Sequence, residues 1–420
     1  MTSAPEETLE AFRRRVRAFR DAHLRPADLT AKTGLTADRG DEVELSAVAR
    51  DRDLQRKLFE ANLAGICFPR EYGGQGLSRE YQQALNEELR GSEYPSHLQS
   101  PSISQCGAVI LDFGTEDQKR EHLPAILRGD EIWMQLLSEP GSGSDVAGAV
   151  TSAVREGDDW ILNGSKIWTT GAWWSDWGLC LARTNWDVPK HRGLTVFMVP
   201  INLDGIVVNR IELLSGSKEF CQEFFTDVRI PDSYRIGDVD GGWTVGSRWM
   251  LHERLGASSP YVTAPLGSRK VDALTDAVAV ARASGGLDES PARDLIGEVA
   301  MLDHVGRALS SRLSRAMAVG RLSDQAAAIG RLFAGVSGVR TRAITADLAG
   351  SGAGAWAGDD EQLGEAAMQS LLRQVPCIAG GTTEMARNVI SERVLGMPRE
   401  GGHDRDLPFR DVPRGSPERR

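Results

Sequence analysis

The chain reads as an α+β multidomain protein in four stretches. A helical domain spans 1–130, a central antiparallel β domain 131–240 and a second helical region 241–398, and a short tail follows over 399–420. Three observations predict this. Apolar residues recur at helical spacing up to about residue 128 and again from about 242 to Leu395. Between them, from about 132 to 230, the chain breaks into short runs of β-branched and aromatic residues separated by Gly and Asn turn signals. Gly and Pro clusters, such as Pro69 to Gly76, mark the joints between helices.

The first helix is predicted over 5–23, where Leu9, Phe12, Val16 and Phe19 share one face and Arg13, Arg14, Arg15, Arg17 and Arg20 fall mostly on the others. The acidic Glu6, Glu7 and Glu10 favour a helix docked on the protein over one lying on a membrane, and they do not suit a transit peptide or a secretory signal. Further helices are predicted at about 51–64, 79–91 and 116–128. In the β region, Trp160–Leu162, Asn163-Gly164 and Ser165–Trp168 read as a hairpin, because Asn-Gly supplies the positive φ angles of a tight turn. Runs at 178–184, 193–199, 205–211 and 219–230 continue the series, and about 110 residues of this texture pack naturally as a barrel or sandwich. Helical spacing resumes near Gly241-Gly242-Trp243. Pro260 and Pro265 interrupt or end that helix, 284–292 and 349–361 read as loops, and the tail after Pro398 has little to bury and is expected to be mobile.

Composition narrows the function. With 49 Lys+Arg against 59 Asp+Glu the formal charge is −10, which disfavours nucleic-acid binding. No apolar run approaches the length of a membrane span. Five cysteines, odd in number and without a CxxC pair, argue against a disulfide framework or structural zinc and fit a reducing cytoplasm. Seven scattered histidines form no HExxH pair, so no metal site is expected. A phosphate loop and a Gly-x-Ser-x-Gly elbow are also absent. The Gly-rich stretch from Gly352 to Ala357 follows a helical pattern where a dinucleotide fingerprint requires a strand, and reads as a loop.

Three constellations remain. Seven of the ten tryptophans lie between Trp133 and Trp186, either as sheet packing or as a wall for a flat conjugated ligand. The stretch Gln135 to Asp145 mixes glycines with Ser138, Ser142 and Ser144, which is either a surface loop or, beside Trp168-Thr169-Thr170, the rim of a heteroaromatic cofactor site. Ala379-Gly380-Gly381-Thr382-Thr383-Glu384 opens the last helix, capped by Thr382 or Thr383. It is either an ordinary helix start or a seat for an anion such as a pyrophosphate.

Taken in order, Ser138-Glu-Pro-Gly-Ser-Gly-Ser-Asp145, Asn163-Gly-Ser-Lys-Ile-Trp-Thr-Thr170 and Ala379-Gly-Gly-Thr-Thr-Glu-Met-Ala-Arg-Asn-Val-Ile390 with Glu392-Arg-Val-Leu-Gly396 give a chain that resembles the acyl-CoA dehydrogenase family, from the N-terminal helices to Arg399. The resemblance implies that the second helical region is a four-helix bundle, and that FAD binds at the β domain and reaches a neighbouring subunit. By position it implies that Gln135, Leu137, Ser138, Trp168 and Thr170 surround the flavin ring. Thr382 and Glu384 would then lie near the diphosphate and adenosine, and Ser144 would contact the pantetheine arm of the thioester. Arg293 is a weaker match to an arginine that contacts FAD across the subunit boundary.

One departure bears on mechanism. Many family members carry a glutamate as catalytic base directly before the Gly-Thr of the last helix, and here that position is Gly380. A subset places the base in a Leu-x-x-Glu-Arg setting on the helix after the β domain, where this chain reads Met250-Leu251-His252-Glu253-Arg254. Removal of an α-proton as the β-hydrogen leaves as hydride needs a base facing the α-carbon from the side opposite the ring, and a buried carboxylate suits it. The resemblance therefore implies Glu253 as the base; Arg254 points away from it on a helix and is expected to pair with the nucleotide part of the substrate, and His252 is either structural or adjusts the acidity of the site. Pro260 and Pro265 depart from the long helix of that pattern.

The expected activity is FAD-dependent desaturation of an acyl-CoA thioester, with electrons passing to an electron-transfer flavoprotein, by a homotetramer or homodimer with no stable membrane insertion. Two rivals stand beside it: an oxidase or monooxygenase on the same fold, and a non-catalytic partner within a hetero-oligomer. The acyl group and the carrier, CoA or acyl carrier protein, stay open.

Overall fold

The computed structural model describes residues 7–28, 40–256, 259–265, 273–355, 361–402 and 404–413. Among the described residues the N-terminal part has six α-helices: α1 (Leu9–His23), α2 (Asp41–Glu60), α3 (Arg79–Glu88), α4 (Ser96–Leu98), α5 (Ala108–Phe113) and α6 (Glu116–Arg128). The Thr8 hydroxyl caps α1 by accepting from the Ala11 amide. The buried face of α1, Phe12, Val16 and Phe19, packs against α3, while Arg13 and Arg17 reach across to Glu88. The helix α6 opens with a reciprocal Thr115–Gln118 capping box and ends at the left-handed Gly129.

Two features depart from expectation. The helix predicted from 51 begins ten residues earlier, at Asp41, with Asp41, Glu42 and Glu44 in its first turn, where they favour the positive end of the helix dipole. Between α4 and α5 the chain is π-helical over Gln99–Gly107 with a kink at Ser100, whose backbone is extended, and the wider turn escapes a search for the 3.6-residue period.

The middle of the chain is one eight-stranded sheet of β1 (Trp133–Leu136), β2 (Ser152–Glu156), β3 (Asp159–Thr170), β4 (Trp177–Arg183), β5 (Leu194–Pro200), β6 (Ile206–Arg210), β7 (Phe220–Pro231) and β8 (Arg235–Ile236). The order is β6-β7-β3-β2-β4-β5-β8, with β1 parallel to β4, and β2 meeting β4 in parallel through Ser152 and Arg183. The expected hairpin at Asn163-Gly164 does not occur. The chain reverses instead at Gly157-Asp158, between Glu156 and Asp159, and β3 runs straight through the Asn-Gly pair. There β3 shifts register against β7, and a Cβ on Gly164 would stand 2.7 Å from the Thr151 backbone, so glycine is required by close approach and not by a turn.

One core lies between the helical domain and the sheet, around Trp133, Leu179, Leu181, Met198 and Trp249. A second lies within the sheet, around Trp160, Leu162, Phe197 and Val228. The tryptophans divide accordingly. Trp133 is stacked on Trp177 at 5.1 Å with His122 at the edge of both, and Trp160 packs on Phe197. Trp168 alone of the seven presents its ring to the outside, 53% exposed.

The C-terminal part comprises α7 (Gly242–Leu255), α8 (Ala273–Ala283), α9 (Ser290–Ala318), α10 (Ala327–Ala349), α11 (Glu361–Leu371), α12 (Val375–Ile378) and α13 (Thr383–Val389). Helices α8 to α11 form the bundle around a core of small side chains, including Ala277, Ala281, Val299, Ile344 and Ala366. After α7 the chain leaves the helix at Gly256, and Pro260 lies outside it. The following strip docks on the helical domain: the Thr263 amide donates to Gln99 and the Ala264 amide to Asn86, while Tyr261 lies against Phe68.

The tail expected to be mobile has something to bury after all. Phe409 is 2% exposed, stacked on Trp186 at 5.5 Å, and its burial is worth about 2 kcal/mol.

Candidate active site

The exposure of Trp168 is built into β3. Lys166 pairs with Glu223 and Ile167 with Gln222, but the next partner of β7, Cys221, faces Thr169, so Trp168 is an inserted bulge residue. Its backbone is left-handed, φ 66°, which a tryptophan adopts only where surroundings force it. The bulge turns Lys166 and Thr169 both inward and throws the indole out. The Ile167 amide donates to the Ser138 carbonyl at 3.0 Å, bringing Leu137 and Ser138 beside the bulge, and Thr170 ends the same strand opposite Phe220.

Beneath this rim lies a buried charge cluster. Lys166 Nζ donates to Glu139 Oε1 at 2.8 Å, to the Leu181 carbonyl at 2.7 Å and to the Leu137 carbonyl at 3.2 Å. Glu139 also accepts from the amides of Val150 and Thr151. Burial pushes against its ionisation, but the charge of and hydrogen bond from Lys166 hold its carboxyl below the usual range. Glu223, fully buried, accepts from the Thr169 hydroxyl at 2.7 Å and leaves its other oxygen without a partner. Burial pushes its carboxyl up to about 7. One lysine thus faces one ionised carboxyl and one that is about half protonated near neutral pH, which keeps the net charge of the cluster small.

The second wall comes from the helices. The π-helical segment packs on both β1 and α7, and its Gln105 accepts from the side-chain amide of Gln135. Glu253 occupies the last turn of α7. Burial pushes its carboxyl up, against the pull of Arg254 and Arg331. The helix C-terminus also disfavours a negative charge there.

The carboxylate oxygen Oε1 of Glu253 lies 3.8 Å from the point where a Cβ on Gly380 would stand, and Arg331 Nε is at the same distance from that point. Arg331 holds this segment by donating to the carbonyls of Ala379 at 2.5 Å and Gly380 at 3.4 Å. Positions 253 and 380 therefore converge on one location. His252 Nε2 bonds Asp112 at 2.9 Å, where Arg248 also donates, while its Nδ1 is buried without a partner among the described residues.

Other expected residues are placed less tightly. Arg254 and Arg331 line a cavity of about 1090 Å³ between α8, α9, α10 and α11, whose walls include Val280, Leu302 and Phe333. Ser144 is exposed on the loop between Gly143 and Asp145. Thr382 caps α13 by accepting from the Met385 amide at 3.1 Å. Glu384 is exposed, bonded by the Thr383 hydroxyl, and both lie within four residues after Gly380. Arg293 sits on the first turn of α9, exposed, against Asp288 at 3.2 Å. Among the described residues no cluster is suited to a metal ion.

Sequence reasoning passed over Glu139, Lys166, Glu223, Gln105 and Arg331. The first two carried a signal, since a glutamate and a lysine sit inside the two motifs that flank the rim, and a lysine amid apolar strand residues calls for a buried partner. The others are joined to the site only by packing.

Residues 6–130 match the family model described as acyl-CoA dehydrogenase, N-terminal domain, and residues 135–228 that of the acyl-CoA dehydrogenase middle domain. The chain is 31% identical over 400 residues to the acyl-CoA dehydrogenase IpdE1 of Mycobacterium tuberculosis, covering 94% of this chain and 99% of that protein. Among solved structures it is similar to a protein described as the Tcur3481-Tcur3483 steroid ACAD, with a TM-score of 0.74 and 28% identity over 95% of this chain and 100% of the other. The ChsE4-ChsE5 complex from Mycobacterium tuberculosis shares the fold, with a TM-score of 0.70 and 24% identity over 95% of this chain and 100% of that one.

Proposed function

This chain belongs to the acyl-CoA dehydrogenase family, and from that premise we propose that it desaturates an acyl-CoA thioester with FAD, using Glu253 as the base. The observation that carries the reading is the Glu253 carboxylate beside Gly380, at the place from which the alternative base would be projected. A bound flavin supplies the two-electron acceptor for the β-hydride. The residues fit such a group: a bulged strand holds an indole face open beside Leu137, Ser138 and Thr170, a surface suited to a flat heteroaromatic ring.

Glu253 takes the α-proton, and its raised pKa makes it a stronger base than an exposed carboxylate while Arg254 and Arg331 keep the ionised form accessible. Arg331 orients the Ala379-Gly380 segment through its carbonyls, Ser144 and Arg254 serve the thioester's pantetheine and nucleotide, and Thr382 and Glu384 serve the cofactor's diphosphate and adenosine. Similarity to the protein described as a steroid ACAD supports a bulky, ring-bearing acyl group. Exposed Met301, Val305, Val336 and Ile378 on the C-terminal helices, with Leu395 just after them, support assembly with further subunits, and an electron-transfer flavoprotein is the proposed acceptor.

The test is anaerobic titration of the purified flavoprotein with straight-chain and ring-bearing acyl-CoA thioesters, followed at the flavin absorbance. Bleaching by a thioester, strongest with the ring-bearing ones, is expected. Absence of flavin or of bleaching refutes the reading, and rapid hydrogen peroxide formation in air makes the protein an oxidase.

A further inference from the structure

We propose that the C-terminal segment 404–411 is a strap that positions the substrate-arm loop 141–149, with Phe409 and Arg183 as positioning residues. The inference rests on the proposed contact of Ser144 with the thioester. Its starting point is Arg183 at the end of β4, a fully buried guanidinium. From there Nη2 donates to the carbonyls of Ala147 at 2.6 Å and Ala149 at 3.2 Å, Nε to Ala149 at 3.3 Å and Nη1 to Lys190 at 2.5 Å. These bonds fix the loop immediately after Ser144 from one side, while Glu139 fixes the Val150 and Thr151 amides from the other.

The tail closes over this guanidinium. The Phe409 ring centroid lies 3.9 Å from Arg183 Cζ, a close cation–π contact in a dry setting, and Trp186 stacks on Phe409 at 5.5 Å with its own ring centroid 6.0 Å from Arg183 Cζ. Two backbone bonds seat the strap, from the Phe409 amide to the Val188 carbonyl at 2.9 Å and from the Arg410 amide to the Trp186 carbonyl at 3.0 Å, and Arg410 pairs with Asp187. A charged link runs parallel to it: Lys190 Nζ lies 2.9 Å from Asp145, the residue after Ser144, and 3.9 Å from Asp404 of the strap. With Phe409 in place, water is kept from the Arg183 donors, so the carbonyls of Ala147 and Ala149 keep a single geometry. Without it, water competes for those donors and the loop samples more arrangements, which costs substrate affinity without touching the base or the flavin rim.

The experiment uses the full-length flavoprotein and the variants Phe409→Ala, Phe409→Tyr and Lys190→Met. In Phe409→Ala, exchange of the Gly148 and Ala149 amides speeds up by about tenfold or more, while the Val150 and Thr151 amides held by Glu139 stay protected. KM for the acyl-CoA substrate rises about tenfold with kcat and flavin content within about twofold, Phe409→Tyr restores both, and Lys190→Met gives a smaller shift of the same kind should Phe409→Ala not fold. Unchanged loop exchange in the folded variants, or parallel loss of kcat, KM and flavin, overturns the strap. If no thioester reduces the wild-type flavin, the proposed function fails, and the exchange rates alone decide whether the strap orders the loop.

Discussion

Because the Glu253 carboxylate and the Gly380 backbone meet, the base can be moved from one chain position to the other. Replacing Glu253 by Ala removes it, and general-base contributions of about 10²–10⁴ predict a fall in flavin reduction of at least about a hundredfold with FAD retained. Adding Gly380→Glu in the same protein projects a carboxylate from a point 3.8 Å from the original oxygen, facing the same Arg331. The cost is conformational: Gly380 has φ +70°, where an L side chain is disfavoured by about 1–2 kcal/mol, equivalent to about tenfold if it falls wholly on the active arrangement. The double variant should therefore recover to within about tenfold of wild type. The assay is anaerobic stopped-flow reduction by the best thioester of the titration, with flavin content measured alongside. Reduction at the wild-type rate by Glu253→Ala places the base elsewhere. A folded, flavin-loaded double variant as slow as the single one refutes the convergence of the two positions.

Further predictions concern the rim and its support. Lys166→Met leaves Glu139 buried opposite an apolar chain, so stability should fall by about 3–5 kcal/mol with loss of flavin; a denaturant midpoint equal to wild type would contradict the pairing. Trp168→Ala should weaken FAD binding about tenfold with little change in melting temperature, since the indole is exposed; apo-protein titration with FAD reads it. Although burial opposes its charge, His97 between Asp51 and Glu44 is raised from 6.5 to about 9. It binds more protons when folded, so its stabilisation is whole below about pH 6.5 and is lost as pH rises to about 9, about 3 kcal/mol in all. His97→Gln should flatten the unfolding free energy over that window. Glu223, raised by burial to about 7, makes stability fall as pH rises from about 4.5 to about 7, and Glu223→Gln should remove that slope in denaturant titrations across the window.

Local chemistry was legible along the chain and spatial convergence was not. The order helix, sheet, helix followed from apolar spacing because each period belongs to one backbone geometry, and α1, α3, α6 and most strands appear where that spacing put them. Asn163-Gly164 misled because its turn preference is local, whereas the register of β3 against β7 and the close approach of Thr151 are not. The π-helical segment escaped because its wider turn leaves no α-helical stripe.

The sequence by itself determined which residue types were available: a Glu-Arg pair after the β domain, a glycine where a base often stands, and two motifs carrying Glu139 and Lys166. Only the tertiary structure decided that Glu253 is held beside Gly380, that Trp168 faces outward on a bulge, and that Phe409 returns more than two hundred residues along the chain to cover Arg183. The physical reason is that burial, desolvation and cation–π contact belong to pairs of distant groups. They come into being only when packing brings those groups together and excludes water from between them.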